Sequence, residues 1–198
     1  MKLDLQFWPT LTVAFVLLNW IVFGLAFLLH KKPPEAPEAK KDSRSLFGIV
    51  LQGVGFALVW ALQRTHFTPV VPMPQFAEIL VALVTMAISA ASVWISLAAV
   101  HTLGKQWSYQ ARLVEGHKLI VSGPYRFVRN PIYTGMFGKM LATGLAISHW
   151  IALGPAIVVF AIGTAIRIRS EEKLLREAFG DDFAAYTRHV PAVFPKLF

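Results

Sequence analysis

Three stretches of this chain carry no charged side chain over a length that can cross a bilayer. Residues 11–29 and 46–62 are free of charge, and so is 79–100. Each is close to the ~20 apolar residues that a helix needs to span a hydrocarbon core of roughly 30 Å. Core helices of a soluble domain alternate apolar and polar faces; these do not. The composition agrees, with 56% hydrophobic and 15% charged residues and a mean hydropathy of +0.55. The first run is longer than the ~7–15 apolar residues of a secretory signal. It is followed by His30-Lys31-Lys32-Pro33-Pro34 rather than by small residues, so it reads as a membrane helix.

The net charge of +8 would suggest nucleic acid in a soluble protein, but its distribution supports another explanation. Lys31, Lys32, Lys40, Lys41 and Arg44 lie between runs one and two. Lys105, Arg112, Lys118, Arg126 and Arg129 follow run three, and six more basic residues lie between Arg167 and Lys196. Only Lys2 and Arg64 fall on the opposite side. This is the positive-inside bias, which predicts an external N-terminus, a cytoplasmic C-terminus and no nucleic-acid partner; in a prokaryote the membrane would be the inner one. There are no cysteines, which excludes disulfides, thiolate metal sites and cysteine nucleophiles. The scattered histidines suggest no metal site.

The spacing therefore predicts an all-α integral membrane protein of about five membrane helices. Helices over about 11–29, 46–63 and 77–102 make up residues 1–103. A catalytic region over 104–198 holds the last two as a helical hairpin at about 132–179, with a cytoplasmic, cofactor-binding C-terminal part. The Pro-, Lys- and Glu-rich stretch 31–44 reads as a flexible loop, and the Pro-rich stretch 65–74 as a stiff external connector. A short β-like piece is expected at 118–121, a helix start at Gly154-Pro155, and a stop at Gly180 before a short amphipathic helix at 181–189. The Ala- and Ser-rich third run permits close helix packing, and Lys139, inside the fourth apolar run, is expected to snorkel.

Two segments could carry chemistry. In residues 123–135, Gly123-Pro124 and Asn130-Pro131 free backbone groups, while Tyr125 and Tyr133 offer aromatic faces to an onium cation or an adenine ring. In the second, Arg167 and Glu171 stand at i, i+4 on one helix face, offering a fork to an anion and a carboxylate to a cation. By themselves these residues are equally compatible with interfacial anchors and a surface ion pair.

The string His117-Lys118-Leu119-Ile120-Val121-Ser122-Gly123-Pro124-Tyr125, then Arg129-Asn130-Pro131-Ile132-Tyr133-Thr134-Gly135, then Arg167, Glu171-Glu172, Phe179-Gly180, Tyr186 and Val190-Pro191, resembles the isoprenylcysteine carboxyl methyltransferases and the wider phospholipid methyltransferase group. The resemblance implies an S-adenosyl-L-methionine-dependent enzyme embedded in the bilayer and acting on a lipophilic small molecule or prenylated acceptor. It places the cofactor against Gln110, His117, Lys118, Leu119, Ile120, Tyr125, Asn130, Pro131, Ile132, Tyr133 and Glu171. Arg167 would meet the acceptor and, with Glu171, form the catalytic pair. The family usually has His where this chain has Asn130, and an amide cannot take a proton near neutral pH, so that position can hydrogen-bond but cannot act as a general base. Two other readings remain: an NADPH-dependent membrane sterol or enone reductase, whose C-terminal pattern is related, and a non-catalytic membrane protein with a degenerate pocket.

Overall fold

The computed structural model describes residues 7–29, 38–65, 68–114 and 116–195. Lys2, residues 30–37 of the expected loop, His66 and residues 196–198 lie outside the described residues. Five α-helices dominate: α1 (Phe7–Leu29), α2 (Arg44–Ala61), α3 (Gln75–Leu103), α4 (Pro131–Ile147) and α5 (Trp150–His189). Among the described residues four of them, all but the 17-residue α4, are long and apolar enough to cross a membrane, one fewer than the five expected.

Helix α2 lies along α5, and α3 along α4. The first pair meets through glycine. A Cβ at Gly48 would come within 2.7 Å of the Gly163 carbonyl, and one at Gly163 within 2.7 Å of the Gly48 carbonyl. The second pair meets through small hydroxyls. Thr85, Ser89, Ser92 and Ser96 recur at helical spacing on the buried face of α3, and Gly135 and Gly138 of α4 sit directly over Ser96 and Ser92. Between membrane helices, where lipid is as apolar as leucine, such close backbone approach is the main source of association energy.

Helix α4 is the short one, and its ends are held by protein. The Arg64 guanidinium donates to the carbonyls of Leu145, Ala146 and Ser148 at 2.7–2.8 Å and reaches Gly144 at 3.5 Å. Leu145 and Ala146 are among the carbonyls that a helix C-terminus leaves open, and Ser148 is the residue that follows the helix. The bond from His149 N–H to the Leu62 carbonyl (2.7 Å) ties the same corner to the end of α2. Lys139, in the middle of α4, does not snorkel. It is 1% exposed, with Nζ 3.3 Å from Ser89 Oγ, 3.5 Å from the Val16 carbonyl and 5.0 Å from the centre of the Trp20 ring. The close packing of α3 on α4 blocks the route to the headgroups, and those three partners replace water.

Three local expectations are corrected. Residues 118–121 form no strand. The strand is β2 (Arg112–Val114), pairing antiparallel with β1 (Glu38–Lys41) inside the stretch expected to be a loop. Helix α5 starts at Trp150 rather than at Gly154-Pro155, because the His149 imidazole accepts the Ile151 N–H and caps it earlier. At Gly180 (φ +48°) α5 breaks, in the left-handed region that glycine enters without a Cβ clash. The chain resumes as helix to His189 and turns back onto the loop preceding α4.

Candidate functional site

One cavity of about 610 Å³ opens where α2, α4 and α5 meet the polar connection between α3 and α4. Gln110, His117, Lys118, Leu119, Ile120, Tyr125, Asn130, Ile132, Tyr133, Arg167 and Glu171 all line it. Pro131 does not; it is buried as the first residue of α4, where its missing N–H and fixed φ suit the opening turn.

The walls are held from several directions. The Gln106 side chain exchanges two hydrogen bonds with the Lys118 backbone, donating to its carbonyl (3.1 Å) and accepting its N–H (2.5 Å). This pins the connection carrying His117–Ile120 to the 3-10 turn after α3. Tyr125 sits in a second 3-10 turn, Gly123–Arg126, and its carbonyl accepts the Tyr186 hydroxyl at 2.6 Å. Arg129 is the tightest knot. Its guanidinium pairs with Glu172 at 2.8 Å and donates to the carbonyls of Thr187 and Val190. The backbone N–H groups of Arg129 and Asn130 donate to the Pro191 and Ala192 carbonyls at 2.8 and 2.9 Å, and Asn130 Nδ2 also reaches the Ala192 carbonyl, at 3.1 Å. The Asn130 donor is thus engaged by the 190–193 segment.

At the centre are Arg167 and Glu171. Arg167 is 8% exposed. Its Nη1 donates to Gln52 Oε1 (3.2 Å) and its Nη2 to the Tyr109 carbonyl (2.6 Å). Nη2 is also 3.5 Å from the Glu171 carboxylate, and the guanidinium lies 5.0 Å from the centre of the Tyr133 ring. The Tyr133 hydroxyl donates to Glu171. Among the described residues five buried side-chain atoms have no partner, and three of them, Nε of Arg167, Nε of Arg112 and Nδ1 of His117, belong to residues that line the cavity. Unpaired buried polar atoms are rare in folded proteins; a group concentrated on one cavity suits a polar ligand. Burial lowers the His117 pKa, so its imidazole is neutral at pH 7. Burial, and then the nearby Glu171, push the Tyr125 phenol upward, keeping its hydroxyl protonated.

The cavity has a mixed lining. Phe23, Ile49, Gly53, Phe56 and Met136 make an apolar part of it, and Arg112, Lys118, Arg167, Glu171 and Glu172 a charged part. Two features were missed from the sequence. Gln52, the one polar side chain in run two, carries a signal that was available: a buried polar group inside a membrane helix is a functional candidate. The Tyr109 carbonyl carries none, because any residue supplies a carbonyl.

The profile of the phospholipid methyltransferase family matches residues 80–182. The chain is similar to the cobalt-zinc-cadmium resistance protein CzcN of Cupriavidus metallidurans, with 36% identity over 48% of this chain and 44% of that one. It is 33% identical to the nickel-cobalt-cadmium resistance protein NccN of Alcaligenes xylosoxydans xylosoxydans over 60% of each. Similarity also extends to protein-S-isoprenylcysteine O-methyltransferase B of Arabidopsis thaliana, 32% identical over 49% of this chain and 50% of that one. The matches thus span about half the length of these curated relatives.

Proposed function

The chain belongs to the phospholipid methyltransferase family, and from that premise we propose that it transfers a methyl group from S-adenosyl-L-methionine to a lipophilic carboxylate at the membrane surface. The observation that carries this reading is the pairing of opposite tasks in one cavity. Glu171 offers a carboxylate for a cation, and four residues earlier Arg167 offers a guanidinium for an anion, both on the lining of the same cavity.

The residues present fit such a cofactor. The volume lies within the roughly 300–1,000 Å³ of small-molecule sites, and Glu171 and Glu172 both face the cavity. Asn130, His117, Lys118 and Gln110 would hold its polar groups, and Leu119, Ile120, Ile132, Tyr125 and Tyr133 its flat and apolar parts. When bound there, S-adenosyl-L-methionine supplies a methyl group made electrophilic by a sulfonium. The protein's own part is alignment and exclusion of water. Arg167 orients the acceptor oxygen through its guanidinium. Tyr133 holds Glu171 in place through its hydroxyl. The apolar part at Phe23, Ile49, Gly53, Phe56 and Met136 receives the acceptor's chain from the bilayer. A carboxylate is already ionised at pH 7, so no base is required, which accords with Asn130. An amine acceptor would have to lose a proton beside a guanidinium. The reductase reading is not favoured by the family match, and NADPH phosphates would face Glu171 and Glu172.

Calorimetry on detergent-solubilised protein tests the cofactor: S-adenosylhomocysteine binds and NADPH does not. The reverse result removes the methyltransferase reading, and binding of neither supports a degenerate pocket. A methyl-transfer assay over lipophilic acids and amines tests the acceptor, and methylation of phosphatidylethanolamine alone removes the carboxylate. At residue level, Glu171→Ala weakens S-adenosylhomocysteine about tenfold, or ~1.4 kcal/mol. Arg167→Ala leaves that affinity near wild type and lowers turnover about 100-fold, as misalignment of a reacting group does. Exchange of the two effects would reverse the roles assigned here.

A further inference from the structure

Within this methyl-transfer reading, we propose that Gln52 is the positioning residue that keeps Arg167 and Glu171 from collapsing onto one another, and so selects a carboxylate acceptor. Gln52 lies in α2, outside the 80–182 stretch matched to the family, and is 2% exposed.

Its orientation is over-determined. Nε2 donates to Thr164 Oγ1 at 2.8 Å, and Oε1 accepts from Arg167 Nη1 at 3.2 Å. A guanidinium has only donors, so a flipped amide would set NH₂ against N–H and lose the bond to Arg167. The backbone around it leaves no slack. A Cβ on Gly48, one turn before Gln52, would lie 2.5 Å from Arg167 Cγ, and one on Gly163 would lie 2.9 Å from the Gln52 N. The Arg167 stem therefore runs over Gly48 with α2 and α5 in backbone contact, and its guanidinium must end beside the amide.

The consequence lies in what Arg167 does not do. An Arg and a Glu at i, i+4 can form a two-point fork–fork pair, the strongest arrangement open to them. Here only Nη2 approaches Glu171, at 3.5 Å, because Gln52 holds Nη1 on the opposite side and the Tyr109 carbonyl holds Nη2 at 2.6 Å. The two charges stay near each other yet separately usable. Glu171 keeps a face for a cationic donor, and the guanidinium keeps its charge for an anionic oxygen, with Nε committed to no protein partner. With Nη1 released, the guanidinium would turn onto Glu171, masking both.

Two variants test this against methyl transfer to a lipophilic carboxylic acid, with S-adenosylhomocysteine calorimetry as the second readout. Gln52→Met keeps size and removes the acceptor; the acceptor KM rises about tenfold, a loss typical of misaligned positioning groups. Gln52→Glu keeps size and the oxygen facing Arg167 but adds a negative charge that competes with the acceptor. Carboxylate turnover falls at least about tenfold, while S-adenosylhomocysteine affinity stays within about twofold, Glu171 being still held apart from Arg167. A purely structural Gln52 predicts the opposite for this second variant, since its hydrogen bond to Arg167 is retained. Wild-type KM and kcat in Gln52→Glu overturn the proposal, whether or not Gln52→Met folds. A wild-type protein that binds S-adenosylhomocysteine but methylates no lipophilic carboxylate overturns the parent reading, and the inference with it.

Discussion

His117 has a neutral imidazole whose Nδ1 is buried without a partner and whose ring lies 6.2 Å from that of Phe179. Its pKa in the folded protein is below the ordinary value of 6.5 because burial disfavours the cation. The unfolded chain therefore binds this proton more readily. The stabilising contribution is fully present above about pH 6.5 and is lost as pH falls toward the folded value. Thermal unfolding in detergent is expected to show a midpoint that drops between pH 7 and pH 5, with part of the drop removed in His117→Asn. An unchanged pH profile in that variant would place the sensitivity elsewhere. As a charged i, i+4 pair following an apolar run Arg167 and Glu171 were legible in the sequence, though their proposed roles came only from the family resemblance. The tasks of Gln52 and Lys139 were not, since a lone polar residue in an apolar helix has the same local pattern whether it faces lipid, a headgroup or a guanidinium. Only the helix packed against it decides.

Glycines separate the interfaces among the helices. At Gly163 an added Cβ meets backbone, 2.7 Å from the Gly48 carbonyl and 2.9 Å from the Gln52 N, whereas at Gly53 it meets nothing within 4 Å. Gly163→Ala is therefore expected to cost about 1–3 kcal/mol, the range for overpacking. Gly53→Ala should be neutral or stabilising by up to about 1 kcal/mol, read as denaturation midpoints in one detergent. Equal effects at the two positions would mean that α2 and α5 are not in backbone contact. Arg64→Ala would leave the Leu145, Ala146 and Ser148 carbonyls without the guanidinium and should lower stability by at least about 2 kcal/mol, since bonds to charged groups count for more than neutral ones. The apolar runs lie within helices because length and lack of charge leave few alternatives. The β1–β2 ribbon escaped detection because it is a three- to four-residue pairing of distant segments, too short for any period to register.

For the molecule as a whole, the proposed reaction requires a C-terminus in the cytoplasm, the orientation expected from the basic residues, so that a water-soluble donor and a bilayer-borne acceptor can meet at the cavity. The absence of native cysteines makes that orientation directly measurable. A cysteine at Gln75 should react with an impermeant maleimide on intact cells, and one at Arg188 only after lysis; the reverse pattern would invert the proposed topology. Ligand linkage offers a second whole-molecule measurement. S-adenosylhomocysteine at 100 times its dissociation constant should stabilise the fold by about 2.7 kcal/mol, and the Glu171→Ala variant should show less at the same concentration. The clasp formed by Arg129, Asn130 and residues 190–193 also bears on timing. Ala192 is made 62 residues after the asparagine that it holds. At roughly 5–20 residues per second, the loop waits about 3–12 s on the ribosome before its fastener exists. Helices α1–α4 are complete by then, but α5 ends at His189, only three residues before Ala192, so the last helix and the fastener of the pocket are made together and a nascent chain cannot hold a donor before its final helix exists.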